Sequence, residues 1–174
     1  MREKIRHSGG QSSLGDFIAA VSNEGLAAFE FVKRDGKVLD ALRARFPEAS
    51  IELDKEGLSE MVTKLAAVIE LPASDPGIAL DLQGSDFEKK VWGILRRIPA
   101  GQTTSYGAIA AEIGSPHDAR AVTEAIANNA IAILIPCHRV VKKDGSLSGY
   151  RWGTKRKREL LTREHQRGDF CLVS

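Results

Sequence analysis

The chain is poor in cysteine and has no long apolar run. Only Cys137 and Cys171 occur in 174 residues, of which 43% are apolar. Two cysteines cannot build a four-cysteine zinc site, and a chain of this size neither needs nor easily keeps a single disulfide inside the cell. No stretch approaches the ~20 apolar residues of a membrane span, and the charged, polar N-terminus has no signal-peptide core. Internal repeats and low-complexity tracts are also lacking. These absences predict a cytoplasmic protein with no membrane partner, no bound metal, and one sizeable core or two small ones.

The net charge of +2 conceals a division along the chain. Residues 16–85 carry a net −6 and residues 86–158 a net +7. A basic half suits a phosphate backbone and an acidic half should face away from it, unless the two are simply solvated faces of opposite sign.

The apolar pattern organises the chain into two parts. The first dozen residues, with Gly9-Gly10 and Ser12-Ser13, read as a poorly ordered lead-in. Phe17–Ser22 and Gly25–Val32 suit an antiparallel hairpin. Val38, Leu39, Leu42 and Phe46 recur at helical spacing within residues 35–46, and Pro47 ends that helix. A second helix follows over 57–70, then a loop bounded by Pro72 and Pro76, and Ile78–Leu82 alternates like one more strand. This predicts a small sheet-and-helix domain over 1–84. Ser85-Asp-Phe-Glu88 is a capping box, and Phe87, Val91, Leu95 and Ile98 continue one helical face, so a second domain is expected over 85–174. A helix over 105–113 ends at Gly114, and Ser115-Pro116 opens the next: helix, tight turn, helix. Thr154 caps a last helix carrying Leu160, Leu161 and Glu164.

One segment points to chemistry. In Ile135-Pro-Cys-His-Arg-Val140 a nucleophile sits beside a base directly after an apolar run. A thiol attacks as thiolate, and at its ordinary pKa of about 8.5 it is mostly protonated at neutral pH, so it needs a base or a positive field. Side chains of adjacent residues diverge, so a bridging water is an easier link between Cys137 and His138 than a direct bond. The alternative is a small buried cysteine beside a half-exposed histidine.

Ile135-Pro-Cys-His-Arg-Val-Val141 resembles the active-site motif of the O6-alkylguanine-DNA alkyltransferases, the methylated-DNA–protein-cysteine methyltransferases. The resemblance runs from Phe87 to Glu164 through Pro99-Ala-Gly101, Ser105-Tyr-Gly107, Ala119-Arg-Ala-Val122, Asn128-Asn129 and Ser148-Gly-Tyr-Arg-Trp-Gly153. The last hexapeptide is similar to the C-terminal part of bacterial Ada proteins. Ser13-Leu-Gly15, Gly25-Leu-Ala-Ala28 and Arg45-Phe-Pro47 resemble the domain that precedes it there. The resemblance implies an α+β fold: a small antiparallel, ribonuclease H-like sheet-and-helix domain, then a mainly helical, winged-helix-like domain with a helix-turn-helix. It also implies a monomer that moves an alkyl group from O6 of guanine in double-stranded DNA to its own cysteine, with O4 of thymine an open second substrate. The transfer happens once, without a cofactor, after the nucleotide is flipped out of the duplex.

The family's site residues carry over position by position. Cys137 is the expected acceptor, His138 the base acting through water, Glu164 the acid that orients it, and Asn129 the brace of the turn. Tyr106 is expected to assist departure of O6. The Cys137 and Val140 carbonyls, the Arg151 N–H and the Tyr150 ring are expected to hold the base, with Trp152 at the pocket mouth. Arg120 is expected to fill the vacated stack, with the small residues Ala119, Ala121 and Ala125 letting the helix approach the minor groove. Thr103, Ser105 and Arg139 are further expected DNA contacts. Trp152, with Ala132 where the animal enzymes have a proline, implies poor acceptance of benzyl adducts. Ala130 stands where many relatives have proline, which predicts a looser turn. Three other classes share parts of this pattern. Alkyltransferase-like lesion-binding proteins lack the acceptor cysteine, a transcription regulator would need the zinc module that this sequence does not contain, and a cysteine hydrolase would turn over repeatedly.

Overall fold

A computed structural model describes residues 3–32, 37–114, 119–147 and 149–173, with side chains through 165. It divides into two compact units, Met1–Glu70 with Asp75–Leu82, and Leu71–Ser74 with Gln83–Ser174.

The first unit holds four strands, β1 (Lys4–Gly10), β2 (Phe17–Val21), β3 (Leu26–Phe31) and β4 (Ser50–Leu53), and two helices, α1 (Val38–Arg45) and α2 (Ser59–Glu70). The expected hairpin is β2 and β3, in register from Phe17 opposite Phe31 to Val21 opposite Leu26. Two expectations are overturned. Residues 4–10 are not a lead-in but a strand interior to the sheet, whose order is β3-β2-β1-β4. The sheet is mixed rather than antiparallel, because β4 runs parallel to β1. Gly10 explains part of the disguise. A Cβ there would fall 2.5 Å from the Phe17 ring and 2.7 Å from Val62, so the strand ends in glycine to let the aromatic pack. Ile78–Leu82 contributes only an isolated bridge between Leu80 and Leu26. Phe17 and Phe29 meet edge to face at 5.4 Å, and Leu65, Val68 and Ile69 of α2 are buried in the same core. On α1, Leu42 is buried and Leu39 is exposed; the expected residues 35 and 36 of this helix lie outside the described residues.

The second unit is mainly helical: α3 (Asp86–Arg96), α4 (Tyr106–Ile113), α5 (Ala119–Ala127) and α6 (Thr154–Val173), with two short strands, β5 (Thr104–Ser105) and β6 (Val140–Val141). The capping box forms as expected. Ser85 Oγ accepts from the Glu88 N–H at 3.1 Å while Glu88 Oε1 accepts from the Ser85 N–H at 3.0 Å, which closes two otherwise open helix-end donors. Val91, Trp92, Ile94 and Leu95 of α3 are buried. Ser105 caps α4 by accepting from Ala108 N–H at 3.1 Å, and Gly114 ends it in the left-handed region at φ +88°. The expected cap and proline at 115 and 116, like His117, lie outside the described residues, as does the Cys171 side chain. β5 and β6 pair in parallel, Thr104 with Val140 and Ser105 with Val141. That pairing ties the start of α4 to the segment that follows Cys137. Among the described residues no helix is long and apolar enough to cross a membrane.

Candidate active site

The site begins with the run 130–135, buried apart from the half-buried Leu134. Asn129 is enclosed and its amide holds the run folded back. Nδ2 donates to the carbonyls of Ile131 (3.1 Å) and Ile135 (3.0 Å) and to Cys137 Sγ (3.3 Å), while Oδ1 accepts from Ile131 N–H at 2.9 Å. These bonds tie together the turn that contains Ala130. Ile133 takes a left-handed φ of +67° inside it, a strained conformation for a β-branched residue. The run then delivers Cys137-His138-Arg139 as a 3₁₀ turn after Pro136.

His138 and Glu164 are fully enclosed, with relative exposures of 0% and 1%. His138 Nε2 lies 2.7 Å from Glu164 Oε1. Arg139 binds the same carboxylate. Its Nε donates to both oxygens at 3.1 Å, its Nη2 to Oε1 at 2.7 Å, and its Nη1 to the Ile98 carbonyl at 2.6 Å. The expectation that Arg139 contacts DNA is therefore corrected. Its guanidinium is spent on a buried carboxylate and a carbonyl, leaving no cationic end for a phosphate.

The electrostatics follow from that enclosure. Burial pushes Glu164 up, but its hydrogen bonds from His138 and Arg139 prevail and hold it at about 2, so it is ionised at neutral pH. Burial lowers His138 against the pull of Glu164, so the imidazole is neutral. A neutral ring beside an ionised carboxylate must donate from Nε2, which leaves Nδ1 as a bare lone pair. Burial pushes the Cys137 thiol up to about 11, opposed by the Asn129 bond and by the positive fields of Lys157 and Arg151.

Cys137 opens onto a cavity of about 490 Å³ walled chiefly by Tyr106, Thr123, Ile126, Lys142, Tyr150 and Arg151. Tyr106 and Tyr150 thus share the sulfur's cavity. Val140 is buried in β6, and its N–H donates to the Cys137 carbonyl. Trp152 does not line the cavity. Its indole is buried and meets the Tyr150 ring edge to face at 5.1 Å, so it supports the wall rather than narrowing the mouth. Ala132 is likewise buried.

On α5 the Arg120 side chain is 93% exposed and only 3.7 Å from Glu124 across one helical turn. Ala119 and Ala121 flank it half-exposed, and Thr103 is exposed just before β5. Ala125 faces inward instead, where its carbonyl accepts from Trp92 Nε1 at 2.9 Å. Lys157 is the residue that sequence reasoning missed. It falls in the basic half of the chain, yet its side chain is fully buried and its charge acts on Cys137. The signal was present: Lys157, Leu160 and Glu164 recur at helical spacing and share the inner face of α6.

Fold and site together define an α+β protein with a buried, histidine-flanked cysteine at the floor of an open cavity. Residues 86–166 match the family described as 6-O-methylguanine DNA methyltransferase, DNA binding domain. The chain is 39% identical over 160 residues to the bifunctional transcriptional activator/DNA repair enzyme Ada of Escherichia coli, covering 92% of this chain and 45% of that protein. It thus spans under half the length of that relative. It is 46% identical over 120 residues to the methylated-DNA–protein-cysteine methyltransferase of Mycobacterium tuberculosis, covering 69% of this chain and 73% of that one. The crystal structure of M. tuberculosis OGT in complex with DNA superposes with a TM-score of 0.75 at 34% identity, over 94% of both chains. The chain belongs to the methylated-DNA–protein-cysteine methyltransferase family.

Proposed function

We propose that the protein repairs DNA by direct reversal, moving an alkyl group from O6 of guanine in duplex DNA to the Cys137 sulfur in one irreversible step. The observation that carries this reading is the buried His138–Glu164 pair, which leaves a neutral imidazole nitrogen bare beside a cavity-facing thiol. At its elevated pKa the thiol is almost wholly protonated at neutral pH, so proton removal has to accompany attack. The S–H proton passes through a water to His138 Nδ1, sulfur attacks the alkyl carbon, and the carbon–oxygen bond breaks as the carbon–sulfur bond forms. Charge develops on O6, where the Tyr106 hydroxyl and the Arg151 N–H lower its energy. Asn129 steadies the sulfur, Tyr150 walls the base, and the Cys137 and Val140 carbonyls accept from its exocyclic amine.

A duplex base reaches a buried thiol only by leaving the stack. Arg120 is suited to fill the gap, because it is the exposed cation on a helix whose Thr123 and Ile126 wall the cavity. Ala119, Ala121, Thr103 and Ser105 then lie along the DNA face. Within this reading residues 85–174 carry catalysis and DNA binding and residues 1–84 serve as scaffold, in a cytoplasmic setting. The strand order β3-β2-β1-β4, with β4 alone parallel, suits a ribonuclease H-like sheet, and the α4–α5 pair with β5 and β6 suits a winged-helix-like unit. The test is the nucleoside content of a duplex bearing one O6-methylguanine. The expected result is one guanine regained per protein and then arrest; repeated turnover, or binding without conversion, overturns the reading.

A further inference from the structure

Two buried polar atoms of the second unit, His138 Nδ1 and the Tyr150 hydroxyl, have no hydrogen-bond partner among the described residues. Both belong to side chains that flank one sulfur. His138 follows Cys137 in the 3₁₀ turn and is tied through Nε2 to Glu164. Tyr150 shares the cavity wall with Cys137. An enclosed polar atom with no protein partner is ordinarily met by a structural water, which takes two to four hydrogen bonds.

Resting on the alkyl-transfer reading above, we propose that Tyr150 is a positioning residue whose hydroxyl donates to the same water that links Cys137 Sγ to His138 Nδ1. That water accepts two hydrogen bonds, one from the Tyr150 O–H and one from the Cys137 S–H, and donates one to Nδ1. With one lone pair held by the phenol, the other faces the thiol. When sulfur attacks, the water gains the thiol proton and passes one of its own to Nδ1, so water is regenerated and His138 becomes the imidazolium beside Glu164. The phenol keeps its proton throughout.

Electrostatics agree with this placement. Burial and then the Cys137 charge push the Tyr150 phenol well above its usual range, with a further push from Glu164 against the pull of Arg156. The hydroxyl is thus a permanent donor, within electrostatic reach of both the sulfur and the carboxylate behind His138. The charged groups around the site are Glu164 and Arg156 facing Tyr150, Lys157 and Arg151 facing Cys137, Arg139 facing His138, and Lys142 at the cavity wall. Trp152 fixes the ring by its edge-on contact.

The test uses Tyr150→Phe, which keeps the wall and removes the hydroxyl. In the full chain, carboxamidomethylation of Cys137 by iodoacetamide is followed by mass against pH for wild type, Tyr150→Phe, His138→Gln and the double variant. The expected result for Tyr150→Phe is a rate about tenfold lower near neutral pH, with the rise in rate moved to higher pH. The double variant should be no slower than His138→Gln alone, since both act through one water. An unchanged pH profile in Tyr150→Phe, or losses that multiply in the double variant, overturns the proposal. The reagent needs no DNA, so this outcome is separate from whether the wild type repairs a lesion.

Discussion

Glu164 holds His138 and Arg139 at once: its Oε1 lies 2.7 Å from His138 Nε2 and 2.7 Å from Arg139 Nη2. One carboxylate on the last helix therefore fixes the tautomer of the histidine and neutralises a buried guanidinium. Glu164→Gln should lose both functions. Breaking a buried pair by removing one partner costs about 3–5 kcal/mol, so a clear drop in Tm is expected. Alkyl transfer should fall by roughly 10²-fold or more as Nδ1 loses basicity. Single-turnover rates and thermal melts check both; a variant that melts like wild type would show that the pair does not bind the last helix to the turn.

Acid should weaken the fold in two stages. His138 is held below its ordinary value of 6.5, so as pH falls below 6.5 the unfolded chain takes up a proton that the folded chain refuses, and stability drops. Glu164 is depressed from 4.5 to about 2, so the stability of its ionised form is fully present above 4.5 and is lost as pH falls from there toward 2. Melting across this range should show a decline beginning near 6.5 that His138→Gln removes. A flat profile down to pH 5 would mean the histidine is not enclosed as described.

Lys157→Met replaces a buried cation by an apolar chain of similar length. The Cys137 thiol then loses a positive field, and its pKa should rise. Slower reaction with iodoacetamide at neutral pH, with stability equal to or above wild type, is the expected pair of results.

Arg120→Ala should separate lesion handling from thiol chemistry. The side chain is almost fully exposed and its one described ionic contact is a loose i,i+4 pair, so stability should change by less than about 0.5 kcal/mol. Reaction of Cys137 with iodoacetamide should be unaltered while transfer from duplex DNA slows strongly. Equal loss in both assays would remove Arg120 from the DNA face.

Much of the site was legible because its chemistry is local in sequence. Ser85 and Glu88, and Cys137 beside His138, carry their signals within a few residues. What escaped depends on the fold. The first strand was hidden because Arg6, His7, Ser8, Gly9 and Gly10 show no alternation, their burial being set by β2 and β4 on either side. Charge usually means exposure, and only the Glu164 carboxylate and the enclosed face of α6 reverse that rule for Arg139 and Lys157. The resemblance places Trp152 at the pocket mouth, and only the fold shows that its ring meets Tyr150 edge to face.

The most direct measurement is the intact mass of the protein after incubation with a duplex containing one O6-methylguanine, with peptide mapping and a Cys137→Ala control. The account predicts a stoichiometric gain of one CH2 unit on the Cys137 peptide and none in the control. An unchanged mass despite tight binding to the lesion, or a gain on another residue, would contradict it.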